Sequence, residues 1–482
     1  MRRFFVQNIF FLILVNLIVK PLWIFGIDRN VQIAVGHEAY GQYVALLNFS
    51  IIFQVLLDFG LQSYNNRTVA QSPQAMKGLF PNVIIAKSLL SAGYLLLVML
   101  LGFLLGYGGY ALLLLFALCF VQIFTSLLLY LRSNISALHH FRTDSLLSVA
   151  DRLFMIAICS LLLFHPSLAP HFRIEWFVYA QIAAYLFSAL IAFFICTRFA
   201  SLDWRHYDLR KVWAICRQSF PYALLIFLMA IYIRSDVFLL ERLLPNGREA
   251  GIYASAYRFL DVANNVTGVL FAGILLPLFG RMLAKKEPVG PLVRLSANLL
   301  VPLALTAMIT AFFFGEDIMR MQLKGMAADY GYEGNVFSLL MAAFPGYCIG
   351  YVYMTLITAN GNLDALIRMA LVAVVLNVGL NLALVPAYGA WGAALTCCIT
   401  QTYLSVYNIL LARKKLQLHT DWPWVARYLL FAGLVLLVCL LVRHLELPLW
   451  PGLAVISAGA VSAMLLCGFL SFRKIGELFR NK

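Results

Sequence analysis

Apolar runs of about 20 residues recur along the whole chain, and each is long enough to cross the hydrocarbon core of a bilayer as a helix. Residues 89–105, LLSAGYLLLVMLLGFLL, are one example. Such runs constrain the fold more than any motif. Inside hydrocarbon every backbone N–H and C=O must be satisfied within the segment or in a closed barrel. A barrel would alternate apolar and polar positions, whereas these runs are continuous. The composition agrees: 63% of residues are hydrophobic and 12% charged, against about 25% charged in soluble domains. The expected class is an all-α integral membrane protein.

About fourteen transmembrane helices can be placed, at roughly 4–27, 43–64, 79–105, 109–131, 145–165, 174–197, 218–241, 251–280, 291–315, 335–359, 364–385, 389–412, 424–442 and 449–471. The apolar run at the N-terminus, MRRFFVQNIFFLILV, continues through Lys20 and Pro21 to Trp23 without a small-residue cleavage site, so it reads as the first span. An even number of spans puts both termini on one side. Loops on that side carry 24 of the 36 Lys and Arg residues, and the opposite loops carry 7. That bias places the termini on the cytoplasmic side of the membrane. It also explains the net charge of +15 without a nucleic-acid partner. Nine cysteines fall in or beside apolar runs with no C-x-x-C spacing, which points to free packing thiols.

No loop is long enough to fold into a catalytic domain. The largest extracytoplasmic segment, residues 315–334, is short, and the chain has no Walker A loop, dinucleotide motif or nucleophile elbow. Histidines show no metal-ligand spacing. No enzyme activity, metal or cofactor is expected, and the function belongs to the membrane region itself.

Charges inside the spans are therefore informative. Each costs roughly 2.5–3.5 kcal/mol on insertion scales unless it faces a partner or water. Lys20, Lys87, Arg152, Arg234 and Arg258 are the intramembrane cations, with Asp151, Asp236 and Asp261 close to them in sequence. Arg258 and Asp261 share a helix face, whereas Arg234 and Asp236, two residues apart, point away from each other. A water-filled cavity with a cationic lining suits an anionic phosphate substrate, because Arg offers bidentate and Lys point-charge contacts. Structural ion pairs between helices are the bland alternative. Asp58, at a span end, is expected to orient a loop or cap a turn.

A short repeat suggests internal symmetry. Glu38-Ala39-Tyr40-Gly41-Gln42-Tyr43 opens the second span and Glu249-Ala250-Gly251-Ile252-Tyr253 the eighth, an offset of 210 residues between Gly41 and Gly251. Six plus six spans is a common transporter plan. The expected organisation is an N-terminal six-helix lobe over 1–200, a second over 201–415, and two additional C-terminal helices with a cytoplasmic tail over 416–482.

Three groups of residues carry a resemblance to a family. They are Glu38 to Tyr43 with Leu57-Asp58-Phe59-Gly60-Leu61 and Arg67; Ser219-Phe220-Pro221 with Arg234-Ser235-Asp236 and Gly251-Ile252-Tyr253-Ala254-Ser255-Ala256-Tyr257-Arg258; and Leu376-Asn377-Val378-Gly379-Leu380-Asn381 with Val385-Pro386-Ala387-Tyr388-Gly389-Ala390-Trp391-Gly392. In that order and spacing the chain resembles the Wzx-type polysaccharide flippases of the multidrug/oligosaccharidyl-lipid/polysaccharide exporter superfamily. The resemblance implies two six-helix lobes in a V and export of lipid-linked sugars by alternating access. A polyprenyl-diphosphate-linked oligosaccharide would be the substrate, a polysaccharide polymerase a pathway partner, and an ion gradient the energy source, with Asp236 or Asp261 as coupling carboxylates. A membrane-embedded polymerase or ligase and a related multidrug or peptidoglycan-precursor exporter are the alternatives.

Overall fold

The computed structural model describes residues 19, 21–72, 74, 76–138, 140–199, 209–267, 273–326, 329–418 and 422–469. Lys20, and most of the expected first span, lie outside them. The described residues are almost entirely helical, and ten helices are long and apolar enough to cross a membrane. Large apolar side chains such as Leu96, Phe103, Leu113 and Phe194 are more than half exposed. Contiguous exposure of that kind suits a helix bathed in lipid and not one bathed in water. The contacts group the chain into two compact units, 1–251 and 252–482.

In the first unit a π-helical turn, Leu22–Asp28, follows Pro21 and leads into α1, Arg29–Ile52. Then come α2 (Leu61–Gln71), α3 (Met76–Leu104), α4 (Gly109–Ala137), α5 (Phe141–Phe164), α6 (Ile174–Thr197) and α7 (Leu209–Leu243). Gly36 sits at φ 81° within α1, a conformation that L side chains rarely adopt. The chain reverses there. Twelve residues of straight helix would separate Asp28 from Tyr40 by about 18 Å, yet Tyr40 Oη donates to the Asp28 carboxylate at 2.8 Å. One glycine thus serves as the corner between two helical segments.

The second span is not the continuous helix expected over 43–64. α1 ends at Ile52, a 3₁₀ turn covers Gln54–Leu57, and α2 starts only after Phe59 and Gly60 take positive φ values of 43° and 83°. Asp58 accepts a hydrogen bond from Gln62 N at 3.2 Å, so it does anchor the first turn of α2. Beyond the break, Asn65 Nδ2 bonds Asn134 Oδ1 on α4 at 2.9 Å, both residues fully buried.

The second unit contains α9 (Gly273–Ala284), α10 (Gly290–Gln322), α11 (Tyr330–Ala342), α12 (Phe344–Ala359), α13 (Leu363–Leu416), α14 (Trp422–His444) and α15 (Leu449–Leu466); the boundary between units falls within α8, Arg248–Thr267. The expected eighth span, 251–280, is helical over 251–267 and 273–280, and residues 268–272 lie outside the described residues. The 54-residue α13 is two spans. Gly389 has φ 57° and ψ −137°, and a Cβ on Gly392 would lie 2.6 Å from the carbonyl oxygen of Leu384. That approach needs the chain to double back. Tyr332 clamps the corner: its Oη donates to Tyr388 O at 3.3 Å and accepts from Trp391 N at 3.4 Å.

The segment 315–334, expected as a loop, is mostly helix. α10 runs on to Gln322 and α11 begins at Tyr330. Gly315 and Gly334 let the two backbones touch, since a Cβ on either would come within 2.9 Å of the other's backbone. Ser338 Oγ then donates to Ala311 O at 2.7 Å. The C-terminal pair α14 and α15 packs on α10. Asn298 accepts from Trp424 Nε1 and Tyr428 Oη, each at 2.8 Å, and Arg443 pairs with Asp317 at 3.0 Å. All nine cysteines are free thiols, eight of them buried.

Candidate functional site

A set of polar groups within the apolar part of the first unit gathers on the π-helical turn, α1, α5 and α6. The π turn widens the helix just after Pro21, which supplies no N–H to the backbone ladder. It presents Trp23 and Asp28. The reversal at Gly36 returns Tyr40 and Tyr43, three apart and so on one face, to the same depth. From α6 come Phe177, Gln181 and Tyr185, spaced by four, which form a single stripe. From α5 come Asp151 and Arg152.

Hydrogen bonds and ring contacts order the set. Tyr40 Oη reaches both Asp28 oxygens, at 2.9 and 2.8 Å. Gln181 Nε2 donates to Tyr43 Oη at 2.7 Å. Trp23 stacks on Phe177 at 5.7 Å, and Tyr43 meets the same ring edge-on at 5.4 Å. The Arg152 guanidinium lies 5.6 Å from the Trp23 ring and 5.9 Å from Tyr185. Its nearest carboxylate oxygen is that of Asp151, 3.7 Å from Nε. That distance is longer than a hydrogen bond, so Asp151 does not lock the guanidinium in a bidentate pair. The Arg152 side chain is 30% exposed and that of Asp151 11%. A cation with partial access, buried carboxylates beside it and aromatic walls is suited to holding a phosphate or a sugar ring, or to exchanging a proton or small cation.

The other expected site residues are placed elsewhere. Lys87 is 5% exposed and faces the break before α2. Arg234, half-buried on α7, directs Nη1 toward Asn48 Oδ1 on α1 at 3.5 Å. Asp236 lies on the same helix with 2% exposure. Arg258 and Asp261 belong to the part of α8 in the second unit, Arg258 with 6% exposure and Asp261 half-buried. Among the described residues no group of three His, Cys, Asp or Glu side chains could hold a metal ion.

Asp28, Tyr40, Tyr43, Gln181 and Tyr185 did not stand out as site residues in the sequence. Asp28 follows the first apolar run and reads there as a loop acid. Gln181 was the available signal: an uncharged amide at the middle of the span 174–197, aligned with Phe177 and Tyr185. We expect Asp28→Ala to leave Tyr40 Oη without its acceptor and to lower stability by about 1–3 kcal/mol. Thermal unfolding of the purified protein in detergent measures this, and an unchanged melting temperature would mean that the bond contributes nothing.

Comparison with known proteins follows this geometry. No curated protein matches the chain by sequence. Among solved structures the chain is similar to the lipid II flippase MurJ in an inward closed conformation, with a TM-score of 0.72, 14% identity, and coverage of 96% of this chain and 99% of that one. It is similar to an inward-facing multidrug resistance MATE family transporter of the MOP superfamily, with a TM-score of 0.67, 13% identity, and coverage of 82% and 94%. A MOP superfamily transporter from Pyrococcus furiosus aligns with a TM-score of 0.60, 14% identity, and coverage of 86% and 95%. At such identities the likeness is one of fold alone. The family model described as "Polysaccharide biosynthesis protein" matches residues 5–283. This multi-pass membrane chain, with the fold of MurJ and the MATE transporters, belongs to that polysaccharide biosynthesis protein family.

Proposed function

We propose that the chain is a flippase that carries a polyprenyl-diphosphate-linked oligosaccharide from the cytoplasmic to the extracytoplasmic leaflet of a bacterial inner membrane, with both termini cytoplasmic. The observation that carries the reading is Arg152, a half-buried intramembrane cation with aromatic rings beside it that is not held in hydrogen-bond contact by the neighbouring Asp151. Membership of a polysaccharide biosynthesis family and the flippase-like fold support it. Arg152 and Arg234 are the proposed charge complement of the pyrophosphate, with Lys20 and Arg258 the further candidates named from the sequence. The glycan travels in water within the cavity, and the isoprenoid chain stays in lipid.

Alternating access between lobes 1–200 and 201–415 is the proposed route, with 416–482 as an added pair of helices. Coupling to an ion gradient is assigned to the buried Asp236 and the half-buried Asp261, as the sequence suggests, and to the half-buried Asp28 by its place beside Arg152. A polysaccharide polymerase consumes the delivered units.

The test is leaflet translocation by the purified protein in proteoliposomes containing lipid-linked oligosaccharide, read by accessibility of the glycan to an external glycosidase. Crossing that depends on the protein and on an imposed gradient supports the proposal; glycan elongation without crossing would move the reading to a polymerase. Arg152→Ala and Arg234→Ala are each expected to fold and to reduce crossing tenfold or more, equivalent to about 1.4 kcal/mol of lost phosphate interaction. Normal crossing by both would remove the cationic cavity.

A further inference from the structure

We propose that Lys87 is a tethered monovalent cation, held in an all-oxygen site at the break between α1 and α2 in the place where a free alkali or ammonium ion would otherwise be needed. The break creates the site. Leu61 N bonds Asp58 O, while Asp58 N and Phe59 N both turn back to Val55 O. The carbonyl of Leu57 is thereby left to side chains. Lys87 Nζ, reaching across from α3, donates to Leu57 O at 2.8 Å, to Ser126 Oγ on α4 at 2.9 Å and to Asp58 Oδ1 at 3.2 Å. An ammonium has three N–H groups, and here each has one oxygen. The Tyr130 ring closes a further side, 5.9 Å from Nζ.

A backbone carbonyl freed by helix unwinding, a carboxylate and a hydroxyl form the ligand set that discontinuous membrane helices use to bind small cations. The distances also match those of a hydrogen-bonded ammonium. The Lys87 side chain is 6% exposed while Asp58 is 30% exposed, so the cation is enclosed and its counter-charge faces the more open side. Lys87 is therefore a positioning residue. It satisfies the break and fixes the angle at which α2 leaves α1, without taking part in substrate contact. Two consecutive left-handed residues, Phe59 and Gly60, are tolerated because three elements converge on this one charge.

The experiment compares thermal unfolding of the purified full-length protein and its variants at constant ionic strength in ammonium, potassium, sodium or N-methylglucamine chloride. Wild type is expected to melt at the same temperature in all four salts. Lys87→Ala is expected to melt lower in N-methylglucamine and to regain part of the loss in ammonium or potassium, with saturation. A Lys87→Ala protein that melts like wild type, or whose loss no small cation restores, would overturn the proposal. Ser126→Ala gives an independent reading that does not depend on refilling a cavity. It removes one neutral ligand and keeps the charge, so it should melt about 2–4 °C lower and stay indifferent to the salt. Melting unchanged from wild type would show that the hydroxyl is no ligand and would also overturn the proposal.

Discussion

Gly41→Val is expected to unseat the corner between α7 and α8 from α1 and to cut translocation sharply while the protein still inserts. A Cβ on Gly41 would lie 2.0 Å from Gly247 O and 2.6 Å from Gly251 N. Reciprocally, a Cβ on Gly251 would lie 2.1 Å from His37 O, and one on Gly247 3.0 Å from Glu38 O. These are backbone atoms, which cannot rotate out of the way as a side chain can. The approach is fastened by Gln32, whose Nε2 donates to Gly251 O at 3.1 Å and lies 3.1 Å from His37 Nδ1. Overpacking of this kind costs about 1–3 kcal/mol, which corresponds to a loss of roughly 5- to 150-fold in the population of the seated arrangement. The matched control is Gly379→Val, since nothing lies within 4 Å of a Cβ there. Melting temperature and glycosidase-reported crossing should fall for the first variant and not the second; equal behaviour would mean that the glycine contact is incidental.

The second large effect is expected for Glu241→Ala. Glu241, near the C-terminal end of α7, accepts from Tyr107 Oη at 2.6 Å and from Arg242 Nε and Nη2 at 2.8 and 2.9 Å. Arg242 Nη1 goes on to Leu105 O at 3.1 Å, and its guanidinium lies 3.6 Å from the centre of the Tyr107 ring. One carboxylate thus ties the α3–α4 turn to the end of α7. The Glu241 side chain is 8% exposed and that of Arg242 27%, so solvent screens part of the pair. Truncation should cost about 1.5–3 kcal/mol. Glu241→Gln, which keeps an acceptor for Tyr107, should lose about half as much. Burial, then the neighbouring Glu241, pushes the Tyr107 hydroxyl well above its usual pKa. It remains a neutral donor at physiological pH. Above roughly pH 10 the unfolded chain ionises first, so stability falls with pH, and Tyr107→Phe should show less of that decline. Unfolding curves for the three variants across pH measure these differences; a Glu241→Ala protein as stable as wild type would show that the tie is not closed in solution.

The repeat read from residues 38–43 and 249–253 acquires a physical meaning in the Gly41 contact. The two glycines at equivalent positions are packed against each other, which explains why both must lack a side chain. Arg152 lies beside Asp151, Trp23 and Tyr185. Lys87 carries the same sequence signal, a lone cation in an apolar run, yet it donates to Leu57 O and Asp58 Oδ1 at a helix break earlier in the chain and to Ser126 Oγ on α4. Sequence spacing cannot separate these cases, because the partners lie on other helices.

What the sequence determined by itself was the class, an all-α multi-pass membrane protein. Runs of apolar residues about 20 long leave the backbone no solution in lipid but helix, and that requirement is local. The loop charges, likewise local, set the expected orientation. Only the tertiary structure decided where helices break and which polar groups meet. The spans read from the sequence already leave Gly36 and Gly389 at span boundaries, but that each one turns the chain shows only when Asp28 is found against Tyr40 and Gly392 against Leu384. The placement of Asp28, Tyr43, Gln181 and Arg152 in one cluster depends on four segments packing at one depth. Burial raises the cost of every unpaired polar group, so their arrangement is a property of the packed helices and not of any one stretch of chain.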